Sequence, residues 1–378
     1  MSTRFDLFLL TLGLLVGHVT TAQHDGHEST ESHELEGVHE LEEEAGFDPS
    51  PFIIHHVADA HEIHLWGEGE SALHIPLPVI LYSEEHGLDV FMSSAFHGHG
   101  EVRHTEDGRY ELAHGHISLT GAHNHDHAHE EGHNHDDHHH ATLYDFSITK
   151  SVFGMLFIMA LLLFLFGRAA ASYRKNPGQA PAGLTNVLEP LVIFVRDDIA
   201  VPSLGEDKAK KFLPFLLTVF FFILFANLLG LIPFIGGFNI TGTVGITVVM
   251  ATFVFLRTTL NGNKHYWGHL FWPPGVPVFV MPIIIPIEII GMFLKPIVLM
   301  IRLTANITAG HIIILSFVSL VLIFGESSAT AGYGVGIFST AFMIFMYCIE
   351  LLVAFLQAFI FTLLAAIYFG EATHEAHH

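Results

Sequence analysis

The sequence predicts an all-α polytopic membrane protein, with about five membrane helices and an interfacial helix, preceded by a small β-rich exported domain. Three observations predict it. Hydrophobic residues make up 51% of the 378 and charged residues only 14%, a ratio suited to lipid. Charge is segregated: residues 23–146 hold 27 of the 38 acids against Arg103 and Arg109, whereas the rest holds 11 acids and 13 bases. Finally, the second part contains uncharged runs long enough to cross a bilayer, among them the 45 residues from Phe212 to Leu256. The formal charge of −23 is therefore a sum of −25 and +2 from two unlike parts. With no basic patch, nucleic-acid binding is excluded. A single cysteine, Cys348 inside an apolar run, excludes a disulfide scaffold and a Cys-type zinc site.

Residues 1–22 read as a signal peptide. Arg4 supplies the positive start, Leu7 to Val16 the apolar stretch and Thr20-Thr21-Ala22 the small-residue cleavage site; a retained anchor is the alternative. Residues 23–49 are acidic with few aromatics, a composition that favours disorder. Residues 50–120 carry β-prone runs, His61 to Trp66, Leu73 to Tyr82, Leu88 to Phe96 and Tyr110 to Leu119, separated by turn residues. Residues 121–146 form a His-rich linker. His123, His125, His127, His129, His133, His135, His138, His139 and His140 are candidate weak metal ligands there. A solvated linker that binds metal incidentally and a proton- or metal-gathering segment both fit that composition.

The membrane part is expected over 147–371. Ser151 to Gly167 is the first span, closed by Arg168, Arg174 and Lys175, which the positive-inside bias places in the cytoplasm. Residues 185–211 read as an interfacial helix that Lys208, Lys210 and Lys211 close. Pro233 and Gly236-Gly237 split the long uncharged run into two spans, and Arg257 and Lys264 bring the next loop inside. The chain is thus oriented with its N-terminal domain outside and its 372–378 tail in the cytoplasm.

Val278 to Gly325 and Gly332 to Gly370 are longer than one span needs. At 1.5 Å per residue they give roughly 72 Å and 58 Å of helix against a hydrocarbon core of about 30 Å. Each is two spans or one steeply tilted helix. With a single turn signal, Gly325 to Gly332, and no interior hairpin, two long tilted helices are the simpler reading.

Charge inside these helices carries the chemistry, because each buried ion costs several kcal/mol. Glu288, Lys295 and Arg302 are spaced by seven and share a face, where Ala305, Asn306 and Ala309 would let another helix approach. Arg302 lacks a carboxylate partner on its own helix, so its partner is expected on another chain. An antiparallel hairpin folded near residue 328 sets Arg302 at the depth of Gln357, and His311 nearer the outer side, towards Glu350. A His–carboxylate pair in low dielectric can pass protons. Lys295 near a helix end also reads as a snorkelling, structural residue.

The run Lys295 to His311 (KPIVLMIRLTANITAGH) resembles the signature helix of subunit a of F-type ATP synthases. Leu356 to Phe361 (LQAFIF) is similar to that family's final-helix motif, and Asn227 to Pro233 (NLLGLIP) to its third-helix motif. The resemblance covers about 147–371 and is to the bacterial type, here with an exported extension. It implies a stator subunit of the inner (plasma) membrane, packed on a ring of c subunits, with the peripheral-stalk subunit b and the other synthase subunits as partners. It implies two proton half-channels and an essential arginine, Arg302, facing the ring carboxylate. Glu350 and His311 match the outer relay positions with the two residue types exchanged, Glu288 matches the inner half-channel, and Asn306 and Gln357 are polar neighbours. Such a subunit is no enzyme on its own and holds no cofactor. Gly230 stands where some members carry an acid, which leaves that role unfilled. The rival reading is a His-rich zinc or other metal transporter. Its spans would need facing His, Asp or Glu ligands, whereas these place an arginine at the centre that repels a dication.

Overall fold

The computed structural model describes most of residues 59–120 and 143–373. Positions 1–52, 54–58, 67–72, 84–86, 98–101, 106, 114, 121–142, 176, 181–182, 233–237, 274–275, 328 and 374–378 fall outside that description. The expected leader, the acidic segment, the histidines from His123 to His140 and the last residues of the tail therefore lie outside the described residues.

Alternating apolar residues build the β-rich region. Its strands are β1 (Glu62–Trp66), β2 (Leu73–Pro76), β3 (Pro78–Ser83), β4 (Gly87–Met92), β5 (Phe96–His97), β6 (Val102–Thr105), β7 (Tyr110–Ala113), β8 (His116–Leu119) and β9 (Leu143–Asp145). They form antiparallel sheets of order β1-β2, β4-β3-β9 and β5-β6-β7-β8. Along β3, Val79, Leu81 and Ser83 are buried while Tyr82 between them is exposed, as the two-residue period of a strand requires. Val79 and Leu81 join Phe96 and Tyr110 in the core.

Two details depart from the strand runs in the sequence. The run Leu73 to Tyr82 breaks at Leu77, whose amide donates to Ser93 Oγ at 3.1 Å. The region also continues past residue 120, because β9 pairs with β3 through Leu81↔Asp145, Tyr82↔Tyr144 and Ser83↔Leu143. A three-residue strand has too little pattern of its own to be read from sequence.

The remainder is helical. The helices are α1 (Lys150–Lys175), α2 (Leu184–Phe194), α3 (Val201–Leu204), α4 (Glu206–Gly230), α5 (Val244–Leu260), α6 (Lys264–Phe271), α7 (Met281–Ser327) and α8 (Ala329–Thr373). By length and composition α1, α4, α7 and α8 can each cross a membrane; α5 and α6, bent by 101°, make a fifth candidate. The long C-terminal hydrophobic units are each one helix, Met281–Ser327 and Ala329–Thr373, packed against each other. Gly325 and Gly332 let the backbones meet at the turn: a Cβ on Gly332 would stand 2.8 Å from the Gly325 Cα.

The interfacial helix is shorter than its sequence reading. A π-helical turn, Val195–Ala200, follows α2, and the helix stops at Gly205 (φ 77°). Glu206 and Asp207 then open α4, where the helix dipole favours acids, so Lys208, Lys210 and Lys211 belong to the span. A left-handed glycine ends a helix more surely than a lysine cluster does.

Helix α4 is the centre of the bundle. Its Phe212, Phe220, Phe221 and Phe222 are almost wholly buried. Phe212 stacks on Phe369 of α8 at 4.9 Å, and Phe220 meets Phe355 edge-on at 6.0 Å. Ala354, Ala358, Ala365 and Ala372 on the buried face of α8 keep the helices close, which is how helices associate where lipid removes the hydrophobic drive. At the end of α8, Lys208 Nζ and Asn263 Nδ2 both donate to the Thr373 carbonyl, closing the helix with a cation and an amide.

Candidate functional site

The α7–α8 hairpin assembles the residues singled out in the sequence. Near the end that carries the β-rich region, Phe317 of α7 packs on Phe342 of α8 at 4.2 Å. Further along, Gly310 of α7 faces Glu350 of α8. A Cβ on Gly310 would overlap the Glu350 carboxylate and stand 2.9 Å from its Cδ, so glycine is what makes room for the acid. Glu350 is 8% exposed, and both its oxygens are buried without a hydrogen-bond partner among the described residues. Desolvating a carboxylate without a partner is costly, and the fold keeps it so.

His311 is the next residue along α7. Its ring nitrogens are buried and complete no hydrogen bond, although the carbonyls of Ile307 and Gly230 lie near them. Gly230 at the end of α4 lies beside the ring: a Cβ there would make an ordinary 3.6 Å contact with Nε2, and what it would crowd is the Phe238 carbonyl oxygen at 2.8 Å. The imidazole thus occupies space beside the position where the resemblance anticipates an acid. His311 and Glu350 are brought to neighbouring levels but are not hydrogen-bonded to each other.

Arg302 lies two turns further from the hairpin bend. Leu299 and Leu303 beside it are buried at 2% and 1%, whereas Val298, Ile301, Ala305, Asn306 and Ala309 are exposed. The arginine therefore stands at the edge between the packed face of α7 and an uncovered one, half-buried itself. Among the described residues no carboxylate stands within ion-pair distance of it. The Gly310–Glu350 contact on one side and the Lys295–Glu371 ion pair on the other bracket its level on α8 between residues 350 and 371. Gln357, 4% exposed, falls within that interval. Asn306 faces away from the bundle.

At the far end, Lys295 pairs with Glu371 and lies 5.1 Å over the Tyr368 ring. Glu288 is exposed, about two turns from the start of α7, and shares with Glu371 the neighbourhood of Tyr266. Glu288 is not brought into contact with Arg302, His311 or Glu350.

Sequence reasoning missed the groups that lock this geometry. Asn227 donates to the Ala354 carbonyl at 3.2 Å and accepts from Thr241 Oγ1 at 2.6 Å, tying α4, α8 and the 238–243 loop together. Thr247 and Thr304 join α5 to α7 at 2.7 Å, two residues from Arg302. Glu371, the partner of Lys295, was also missed. Asn227 carried a signal, as the first residue of the NLLGLIP motif; the threonines carried none, because a hydroxyl in a span most often bonds its own helix. No group of three or more His, Cys, Asp or Glu that could hold a metal occurs among the described residues.

Comparison with known proteins agrees with the hairpin's signature. The family ATP synthase A chain matches residues 152–370, and a Domain of unknown function (DUF8433) matches residues 52–146. The chain is 46% identical over 242 residues to ATP synthase subunit a of Pelodictyon phaeoclathratiforme, covering 62% of this chain and 68% of that protein. It is 46% identical over 248 residues to ATP synthase subunit a 2 of Chlorobaculum tepidum, covering 62% and 67%. Against ATP synthase subunit a of Myxococcus xanthus it is 36% identical over 244 residues, covering 62% and 75%. With the family matched over more than half its length and relatives matched over two thirds of theirs, this chain belongs to the ATP synthase subunit a family.

Proposed function

We propose that this chain is the proton-conducting stator subunit of a rotary ATP synthase, and that Arg302 drives proton exchange on a neighbouring ring of c subunits. The observation that carries the reading is the state of the α7–α8 hairpin. In the most apolar stretch of α7 only 11% of residues are buried within the chain, against 61% in α4. That uncovered face presents small residues beside an arginine that has no carboxylate of its own. A ring of helices, each offering one carboxylate, would cover the face and supply the missing charge. At about 4 Å and an effective dielectric near 20, such a pair attracts by about 4 kcal/mol. An arginine stays charged at any working pH, so the attraction is permanent and the carboxylate must release its proton to benefit.

Protons would reach the ring from the side of the β-rich region through His311 and Glu350, and leave on the other side past Glu288. Asn306 and Gln357 would keep the surroundings of Arg302 polar. The cytoplasmic placement of Arg168, Arg174 and Lys175 puts the β-rich region outside a bacterial inner membrane, with subunit b and the other synthase subunits as further partners. The chain performs no chemistry on ATP itself; it turns ion flow into rotation.

The test is Arg302→Ala in the assembled synthase reconstituted into vesicles. ATP-driven proton pumping should fall to background while ATP hydrolysis by the uncoupled complex persists. Glu350→Gln should slow pumping without abolishing it. Pumping at the unchanged rate in the Arg302→Ala complex would refute the mechanism.

A further inference from the structure

The β-rich region is not a tethered appendage. Ile63 and Leu77 belong to the same buried cluster as Val152 and Met155 of α1, so the two parts share a core. The chain leaving β9 is pinned along β3: Phe146 N donates to the Ile80 carbonyl at 2.8 Å and Ile148 N to the Pro78 carbonyl at 3.0 Å. Lys150 N then donates to the Ala60 carbonyl at 2.7 Å, at the head of α1. A shared apolar core and a ladder of backbone bonds fix the relative placement that a flexible linker would leave free.

Four titratable side chains meet at this junction, and the site above uses none of them. His61 Nε2 lies 3.4 Å from Asp145 Oδ2; the imidazole is 4% exposed and the carboxylate 32%. Lys150 is 5% exposed, and the nearby Asp59 carboxylate favours its charged form. Asp59 is half-buried and uses one oxygen for structure: Oδ1 accepts from the amides of Ala60 and Ser151, each at 3.0 Å. Among the described residues no hydrogen bond is made to its Oδ2. From Ser151 a line of hydroxyls continues inward, since Ser151 Oγ lies 2.9 Å from Thr243 Oγ1 on the loop that leads to α5.

We propose that this junction is the proton-collecting mouth of the uptake path, with Asp59 as its inward carboxylate and the Asp145–His61 pair as its outer one. The inference rests on the reading of His311 and Glu350 as the uptake path. A proton taken from water onto Asp59 Oδ2 is passed inward along the Ser151 and Thr243 hydroxyls toward His311; Asp59 returns to its carboxylate and accepts the next. The sequence segment 23–146, to which Asp59, His61 and Asp145 belong, carries 27 acids against two arginines, a net negative charge that favours protons near it. The β-rich region is thereby a working part of the translocation path.

Asparagine separates the two roles of Asp59. It accepts hydrogen bonds at a helix start about as well as aspartate, so Asp59→Asn keeps the Ala60 and Ser151 bonds while removing the proton carrier. Full-chain variants Asp59→Asn, Asp59→Glu and Glu350→Gln are compared in vesicles carrying the assembled membrane sector. Proton uptake from the side of the β-rich region is driven by a potassium diffusion potential. Asp59→Asn should slow uptake about tenfold with assembly and melting temperature unchanged, and Asp59→Glu should restore most of it. Unchanged uptake in Asp59→Asn beside slowed uptake in Glu350→Gln overturns the collecting role alone. Equal losses in Asp59→Asn and Asp59→Glu, accompanied by lost assembly, make Asp59 a structural cap and overturn it too. Unchanged uptake in Glu350→Gln removes the path itself, and this inference with it.

Discussion

The absence of a side chain at Gly310 is the most sharply testable feature of the hairpin. Adding one methyl group, Gly310→Ala, puts a Cβ 2.9 Å from the Glu350 Cδ and into the carboxylate beyond it. Carbon atoms in contact rest about 3.5–4.0 Å apart, so Cδ must retreat by at least about 0.6 Å and the oxygens further. Overpacking of this kind costs about 1–3 kcal/mol in a packed interior. The functional cost is larger, because displacing a reacting group by about 1 Å lowers rates on the order of a hundredfold. Proton uptake in vesicles should therefore fall by one to two orders of magnitude, while the complex still assembles and melts a few degrees lower. Gly336→Ala is the control on the same hairpin: its Cβ would meet only Val321 Cγ1, at an ordinary 3.7 Å. It should conduct like the unchanged protein. Shortening the acid in Gly310→Ala/Glu350→Asp should recover part of the lost uptake by withdrawing the carboxylate one carbon. Uptake at the unchanged rate in Gly310→Ala would refute the argument that Glu350 works from the position that glycine opens.

Two further outcomes follow from polar contacts. Asn227→Ala leaves the Thr241 hydroxyl and the Ala354 carbonyl without their partner in a dry interior, so thermal denaturation of the purified complex should show a loss of about 2–3 kcal/mol; a neutral result would mean that α4 and α8 are held by packing alone. At Asp145, burial raises the carboxyl, but hydrogen bonds from His61 and Ser147 outweigh burial and hold it below the usual carboxylate range. An acid held low in the folded state adds stability at pH above its unfolded value, about 3.9, and that stability is lost as pH falls through the folded value. Hydrogen exchange at the amides of Phe146, Ile148 and Lys150 should accelerate below about pH 4, and Asp145→Asn should flatten that acid dependence. Identical acid profiles in the two proteins would rule Asp145 out as the cause.

What could be read from the sequence was whatever local pattern decides. The break at residue 328 was legible because glycines and polar residues interrupt two runs too long for single upright spans. The levels of Gln357 and Glu350 relative to Arg302 and His311 followed from counting outward from that break. Contacts between residues far apart in sequence were not legible. Nothing near Lys150 announces that it is buried beside Asp59, 91 positions earlier, because its surroundings come from another part of the chain. Lys295 looked like a residue reaching for the membrane surface, and only the packing of α8 supplies Glu371 as its partner. The left-handed turn at Gly205 was hidden by three lysines that resemble a helix end. In each case the deciding term is a tertiary contact or a backbone angle, to which composition and periodicity are blind.

The distribution of satisfied and unsatisfied polar groups separates scaffold from machinery. Asn227, Thr241, Ser151, Thr243, Thr247 and Thr304 are all hydrogen-bonded across elements, and each bond fixes one helix against another. Buried side-chain atoms that complete no hydrogen bond among the described residues include those of Thr308 and His311 on α7, of Ser339 and Glu350 on α8, and of His61 in the β-rich region. A stable fold selects against such groups, since each costs about 1–3 kcal/mol, and more when it carries charge. The four on α7 and α8 belong to the hairpin that the proposed proton path runs through, and such a path needs donors and acceptors that the scaffold leaves open. Arg302 follows the same logic in the opposite sign, as a permanent cation with no carboxylate within ion-pair distance among the described residues. On the proposed reading, a carboxylate of a neighbouring chain would answer Arg302, and a proton would pass between His311 and Glu350.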